Sequence, residues 1–142
     1  MRFPLFVSGC VHLQPLIFKM ILPDYNWSEL DRVVHDVVEA CIAELPDEIR
    51  ALASKVPCLF PRWHRNAPDI DPEAIYMLGE YLSYGDDLSI NESGVITLYI
   101  GSIAWYCEDD GLDYEEEVRR TYLHELGHHL GWDEDEIASR GL

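Results

Sequence analysis

The chain has 142 residues, the size of one domain, and 48% of them are hydrophobic, which is enough for a folded core. Ten basic against 27 acidic residues leave a net charge of −17. A chain this acidic repels nucleic-acid phosphates and anionic lipid headgroups, so we expect neither nucleic acid nor a membrane as a partner. The charge favours cationic or neutral ligands, although solubility alone is a sufficient reason for it.

The first 22 residues are apolar but interrupted, and no run of about 18 apolar residues exists that would cross a bilayer. Residues 7–10 resemble a lipoprotein cleavage box, but the apolar run before them is shorter than the roughly 7–15 residues of a signal peptide. We therefore predict an N-terminal extension over residues 1–19 that is poorly ordered. A single domain over residues 20–142 is predicted to follow it.

The cysteines are widely scattered and none forms a Cys-x-x-Cys pair; they are Cys10, Cys41, Cys58 and Cys107. This pattern is typical of reduced, mostly buried thiols, and a disulfide between two of them stays open. Together with the weak signal sequence, the cysteines favour a cytoplasmic protein over a secreted or lipid-anchored one.

Two helices are predicted in the first third of the chain. Between Asn26 and Leu45, apolar residues recur at spacings of three and four, which is typical of an amphipathic helix. Asn26 or Ser28 can cap the start of this helix, and Pro46 ends it. Residues 47–55 are predicted to form a second, short helix.

The middle of the chain is predicted to supply the strands. Residues 56–63 alternate in direction but contain two prolines, which favour a ragged strand or one at a sheet edge. Residues 94–100 are rich in β-branched and aromatic side chains and form the clearest strand. Residues 71–84 are ambiguous, because a helical turn starting at Pro72 and an extended segment both fit them.

A short helix over residues 102–107 and an acidic loop over residues 108–111 are predicted to lead into the last long helix. Asp113 is the predicted N-cap of that helix. Glu116 follows three residues later as the partner in a capping box.

Two glycines shape the end of this last long helix. Gly127 costs about 1 kcal/mol relative to alanine inside a helix, so we expect a neighbouring backbone or strand to approach it closely. Gly131 is the predicted C-terminal cap, because glycine adopts the left-handed conformation without a steric penalty. Residues 133–140 are then predicted to form one or two further helical turns.

The same helix carries the pattern His-Glu-x-x-His over residues 124–128. His124 and His128 lie one turn apart on one face, so both imidazoles can reach one metal ion, and neutral imidazole suits zinc. Glu125 points about 100° around the helix from His124. That direction makes it a poor ligand but a good general base for the water that the metal activates. A surface helix with incidental histidines is the competing interpretation.

The segment from His124 to Glu136 resembles the small bacterial zincin-like metallopeptidase family, often described as a minimal matrix-metalloprotease-like domain. Residues 96–100, residues 116–121 and the N-terminal helix are also similar, so the resemblance spans about residues 26–142. The resemblance implies an α+β fold, with a small sheet packed against the metal-binding helix. It also implies zinc as cofactor and peptide-bond hydrolysis, with no particular substrate.

The third metal ligand is predicted where the chain departs from the larger metzincins. Those proteins have a third histidine three residues after the glycine, and this chain has Glu134 there. We predict Glu134 as the third ligand, because the chain can turn back towards the metal only after Gly131. Asp133 is the main rival, since it could bind the metal or cap the next helix. Asp135 and Glu136 stay open as alternatives.

The sequence thus predicts a zinc metallopeptidase acting on a peptide or protein, with Glu125 as general base and zinc held by His124, His128 and Glu134. The alternative is a non-catalytic metal-binding or regulatory protein-interaction module that retains the zincin helix. Candidates for a transition-state stabiliser, each better explained by packing, are Tyr106, Tyr122 and His129. The oligomeric state is not predicted.

Overall fold

The computed structural model describes residues 21–83 and 94–140, so the predicted extension over residues 1–19 lies outside the described residues. The described residues form five α-helices, one 3₁₀ helix and three strands. In chain order they are α1 (Trp27–Glu44), α2 (Asp47–Ala53), β1 (Cys58–Leu59), the 3₁₀ helix (Pro72–Tyr76), β2 (Gly79–Ser83), β3 (Gly94–Leu98), α3 (Ile100–Asp110), α4 (Tyr114–His129) and α5 (Glu134–Ser139).

The three strands form one mixed sheet in the order β1-β3-β2. β1 runs parallel to β3, with Cys58 opposite Ile96, and β2 runs antiparallel to β3, with Tyr81 opposite Ile96. β1 is an edge strand, as predicted, but it has only two residues because the prolines around it cannot donate to a strand ladder. β2 is the other edge, so within the described residues one of its sides has no strand neighbour.

The helix ends lie at the predicted capping residues. The Asn26 side chain accepts a hydrogen bond of 3.2 Å from the backbone N–H of Glu29 at the start of α1. The Asp113 side chain accepts one of 3.1 Å from the backbone N–H of Glu116 at the start of α4. Gly131 has φ +84°, in the left-handed region, just after α4. These contacts confirm the predicted starts of α1 and α4 and the predicted end of α4.

Two segments differ from their predictions. α3 begins at Ile100, directly after β3, and continues to Asp110 through residues predicted to be a loop. Acidic residues at a helix C-terminus oppose the helix dipole and so favour a loop, but Gly111 caps α3 with φ +67°. The ambiguous residues 71–84 contain both predicted structures in turn, the 3₁₀ helix and then β2.

The core lies between the sheet and helices α1, α3 and α4, and α4 packs against β2, β3, α1 and α3. Val118, Tyr122 and Leu126 form the buried stripe of α4. Burying a side chain of this size contributes about 1.5–3 kcal/mol, so this stripe holds α4 in place and leaves its histidine edge free to face outwards. The predicted α+β fold, with a small sheet against this helix, is confirmed.

The three described cysteines are free thiols, as predicted. Cys41 and Cys107 are buried and Cys58 is partly buried. In the described part of the chain, none of the helices has the length and apolarity needed to cross a membrane.

Candidate metal centre

α4 presents His124 and His128 one turn apart on its exposed edge. Their ring centroids are 5.0 Å apart and their planes meet at 77°. Both side chains are about one-third exposed, whereas Glu125 between them is buried. The ligand atoms of these three residues all lie within 4.8 Å of one another. The structure therefore brings the predicted histidines and the predicted general base into one cluster.

Glu134, the first residue of α5, contacts both imidazoles. Its Oε2 lies 3.4 Å from Nε2 of His124, and its Oε1 lies 2.9 Å from Nε2 of His128. Ligand atoms at about 2.0–2.2 Å from a tetrahedral ion lie roughly 3.3–3.5 Å from one another. The two contacts of Glu134 are made by different oxygens, at 3.4 Å and 2.9 Å, so this carboxylate lies within reach of an ion held by the two imidazoles.

The neighbouring carboxylates that could compete for this role are placed differently. Oδ1 of Asp133 accepts a hydrogen bond of 2.8 Å from the backbone N–H of Glu136, and so caps α5. The carboxylate of Glu136 accepts a hydrogen bond of 3.0 Å from Arg140. Asp135 is exposed on the first turn of α5. Glu134 is thus the carboxylate of this segment that the structure brings to the histidines.

The turn between α4 and α5 is held by packing against Gly127. A Cβ atom on Gly127 would lie 2.9 Å from Cγ1 of Ile137 and 3.2 Å from Cε3 of Trp132. The predicted close approach is confirmed, but side chains make it rather than a backbone or strand. Ile137 is buried and lies three residues after Glu134 on α5, so its contact with Gly127 positions Glu134 relative to the histidines.

The carboxyl group of Glu125 lies in a low-dielectric environment. Burial raises its pKa above the ordinary value for glutamate; the adjacent imidazoles of His128 and His124 lower the pKa, and the carboxylates of Glu134 and Glu80 raise it. The net shift is upwards. A carboxylate with a raised pKa is a stronger proton acceptor than an exposed one, as a general base requires.

A cleft of about 420 Å³ opens between α4 and the segment that leads into β2. The side of the β2 segment is lined by Tyr76, Met77, Leu78 and Gly79. The side of α4 is lined by Glu117, Arg120, Thr121, His124 and Glu125. Two residues of the candidate site, His124 and Glu125, therefore line the cleft.

The three candidates for a transition-state stabiliser are not among the described residues that line this cleft. Tyr122 is fully buried in the core. His129 is also fully buried, and its Nδ1 lies 2.9 Å from the hydroxyl of Tyr81 on β2. Tyr106 lies on α3. The burial of Tyr122 and His129 agrees with the packing roles that the sequence favours for them.

The wall formed by Glu117, Arg120 and Thr121 was missed by the sequence analysis. These residues precede His124 by seven, four and three positions, which places all of them on its face of the helix. This spacing could have predicted from the sequence that the three residues lie on the same face of the helix as His124. The opposite wall, at Tyr76 and Met77, has no such signal, because only the fold brings the β2 segment next to α4.

Comparisons with known proteins agree with this geometry. Residues 70–142 match the sequence model of a family described as zincin-like metallopeptidase. Among solved structures, the chain is similar to a conserved hypothetical protein from Thermus thermophilus, with 28% sequence identity and a TM-score of 0.51. That match covers 78% of this chain and 98% of the other. No curated protein matches the chain.

The region matched by the family model contains α4, α5 and every candidate residue of the site. A zincin-like family implies a bound metal ion, and the clustered imidazoles of His124 and His128 are donors that suit one. The family model matches more than half of the chain. The chain therefore belongs to the zincin-like metallopeptidase family.

Proposed function

We propose that this protein is a zinc-dependent metallopeptidase that hydrolyses peptide bonds. His124, His128 and Glu134 hold the ion in this proposal, and Glu125 is the general base. The observation that carries it is the convergence of Glu134 on both imidazoles, at 3.4 Å and 2.9 Å, beside the buried Glu125, which lines a cleft together with His124.

Three protein ligands leave one position of a tetrahedral ion open, and a water molecule or a substrate oxygen can occupy that position. A zinc ion bound there would lower the pKa of a water molecule and polarise the scissile carbonyl group. Glu125 accepts a proton from the attacking water as the new C–O bond forms. It then passes that proton to the amine nitrogen as the C–N bond breaks. Burial of Glu125 raises its proton affinity, which supports this role.

The edge strand β2 is a candidate binding site for an extended peptide. Within the described residues one side of β2 has no strand neighbour, and a peptide can add to such an edge through backbone hydrogen bonds. Met77 and Gly79 line the same cleft as His124 and Glu125. A peptide that continues along this edge would therefore pass the candidate metal site, and the exposed Tyr76 and Met77 give its side chains apolar contacts.

Turnover of an unbiased peptide library tests the proposal. We expect the zinc-loaded protein to cleave peptides, and we expect a chelator to abolish the cleavage and added zinc to restore it. Mass spectrometry of the products identifies the cleaved bonds. A library that stays intact with the zinc-loaded protein would overturn the peptidase proposal. Zinc binding without cleavage would then favour the non-catalytic metal-binding module.

A further inference from the structure

A buried carboxylate and an exposed guanidinium form an ion pair in the cleft wall. Glu117 is 5% exposed, and its Oε1 lies 3.1 Å from Nη1 of Arg120. The side chain of Arg120 is 59% exposed, and both residues line the cleft. A buried carboxylate is costly unless it is paired, so Glu117 holds the guanidinium of Arg120 against this wall.

Arg120 keeps hydrogen-bond donors for a ligand. A guanidinium has five N–H donors in a rigid planar fork. Within the described residues, Nη1 pairs with Glu117, and the other two nitrogens of Arg120 have no partner. Arg120 is also the sole lysine or arginine among the described residues that line the cleft. An arginine that is already held by one carboxylate is preorganised to bind another.

The position of Arg120 on α4 gives its approximate distance from the peptide bond that would be cleaved. Arg120 precedes His124 by four residues, which corresponds to about 6 Å along the axis of α4. Consecutive residues of an extended peptide are about 3.8 Å apart. A group that contacts Arg120 would therefore lie one or two residues from a peptide bond held at the candidate metal site.

The chemistry of the pair favours an anionic ligand group. The net charge of −17 opposes anions at long range, but salt screens that repulsion beyond about 8–10 Å. At contact distance, a guanidinium–carboxylate pair forms short, charge-assisted hydrogen bonds. Because Glu117 and Glu125 line the same cleft, a small anionic group is favoured there only in direct contact with the guanidinium of Arg120.

Resting on the proposed function, we propose that Arg120 binds a carboxylate of the substrate, one or two residues from the scissile bond. Glu117 positions the guanidinium of Arg120 for this contact. The carboxylate comes from either of two sources, the free C-terminus of a short peptide or an aspartate or glutamate side chain.

Binding can be measured separately from cleavage. Isothermal titration calorimetry uses the zinc-loaded Glu125→Gln variant and one short acetylated peptide, prepared as the free acid and as the C-terminal amide. A second pair of amidated peptides differs by Glu against Gln, which separates the two sources of the carboxylate. We expect the carboxylate-bearing member of at least one pair to bind about 10-fold or more tightly than its neutral counterpart.

Arg119 supplies the matched control. It is adjacent to Arg120 in sequence but pairs with Glu44 of α1, at 3.2 Å, and does not line the cleft. We expect Arg120→Gln to remove the preference for the carboxylate and Arg119→Gln to retain it. Arg120→Lys should retain only part of it, because lysine keeps the charge and loses the fork. These comparisons also correct for direct binding of the carboxylate to zinc, which Arg120→Gln would leave intact.

The outcomes separate this inference from the proposed function. Equal affinities within both peptide pairs, or a carboxylate preference that survives Arg120→Gln, would overturn the role of Arg120 even if peptides are cleaved. Failure of the zinc-loaded wild-type protein to cleave any peptide would overturn the peptidase proposal instead. The calorimetric comparison would still decide whether Arg120 binds carboxylates.

Discussion

The hydroxyl of Tyr81 lies 2.9 Å from Nδ1 of His129, which is fully buried. This contact joins the edge strand β2 to the C-terminal end of α4. The two rings also meet edge to face, with centroids 5.2 Å apart. His129 follows His128 in the chain, so the contact also limits rotation of α4 where its histidine edge faces the cleft.

Tyr81→Phe should destabilise the fold by about 1–3 kcal/mol, because a buried imidazole nitrogen then loses its hydrogen-bond partner. Urea denaturation followed by circular dichroism measures the change in the free energy of unfolding. Tyr76→Phe is the matched control, since Tyr76 is 56% exposed and its hydroxyl is accessible to water. Equal stabilities of the two variants would show that the Tyr81–His129 contact contributes nothing.

Glu125→Gln should lower kcat by about 10²–10⁴-fold and leave the zinc content unchanged. The amide keeps the shape of the side chain but cannot accept the proton. Peptide cleavage and metal analysis on the same preparation measure both effects. Turnover at the wild-type rate would exclude Glu125 as the base.

Glu134→Gln should weaken zinc binding, because the carboxylate that contacts both imidazoles is replaced by a neutral amide. Asp133→Asn is the control, since asparagine can still cap α5. Competition with a zinc-chelating dye gives the two affinities. An affinity that is unchanged in Glu134→Gln and reduced in Asp133→Asn would assign the third ligand to Asp133 instead.

Gly127→Ala sets two effects against each other. Alanine gains about 1 kcal/mol of helix propensity over glycine, but overpacking costs about 1–3 kcal/mol. Ile137 is buried and leaves no room for the new methyl group, so we expect net destabilisation and weaker zinc binding as α5 shifts. A double-mutant cycle with Ile137→Ala tests the cause, because the Gly127→Ala penalty should largely disappear once Ile137 is truncated. A penalty of the same size in both backgrounds would place the clash elsewhere.

Burial raises the pKa of the Cys58 and Cys107 thiols to about 11, with acidic neighbours adding to the shift at Cys107. An unfolded thiol ionises near pH 8.5, so between about pH 8.5 and 11 the folded chain binds more protons than the unfolded one. Stability should therefore fall as the pH rises through this range. Alkylation of a Cys10→Ser variant at pH 8 can be assigned to individual cysteines by mass spectrometry. We expect it to be slow at Cys58 and Cys107 until urea is added. Rapid labelling of the folded protein would contradict the raised pKa values.

The sequence was a good guide wherever local chemistry decides the structure. The capping residues Asn26 and Asp113 act within one turn of the chain, and so does the left-handed Gly131. The spacing of His124 and His128 likewise fixes their common face once the helix is known. For these residues the pattern and the observed geometry agree.

Contacts between residues far apart in sequence decide the features that could not be predicted. The parallel pairing of Cys58 with Ile96 joins segments far apart in sequence, and nothing in either segment specifies that register. The boundary between β3 and α3 could not be predicted from the apolar run 94–100, because both elements are buried there and both are apolar. Glu134 was predicted from its distance after Gly131, whereas its contact with the histidines depends on how Ile137 packs.

Within the described residues, one side of β2 has no strand neighbour. A strand edge that can receive a peptide can also receive the same strand of another copy, which leads to self-association. A net charge of −17 on each copy opposes that encounter. Concentrated salt shortens the reach of this repulsion, to about 3 Å at 1 M ionic strength. Samples held at high ionic strength would then pair edge to edge and obstruct their own clefts, whereas dilute, low-salt samples would keep them open.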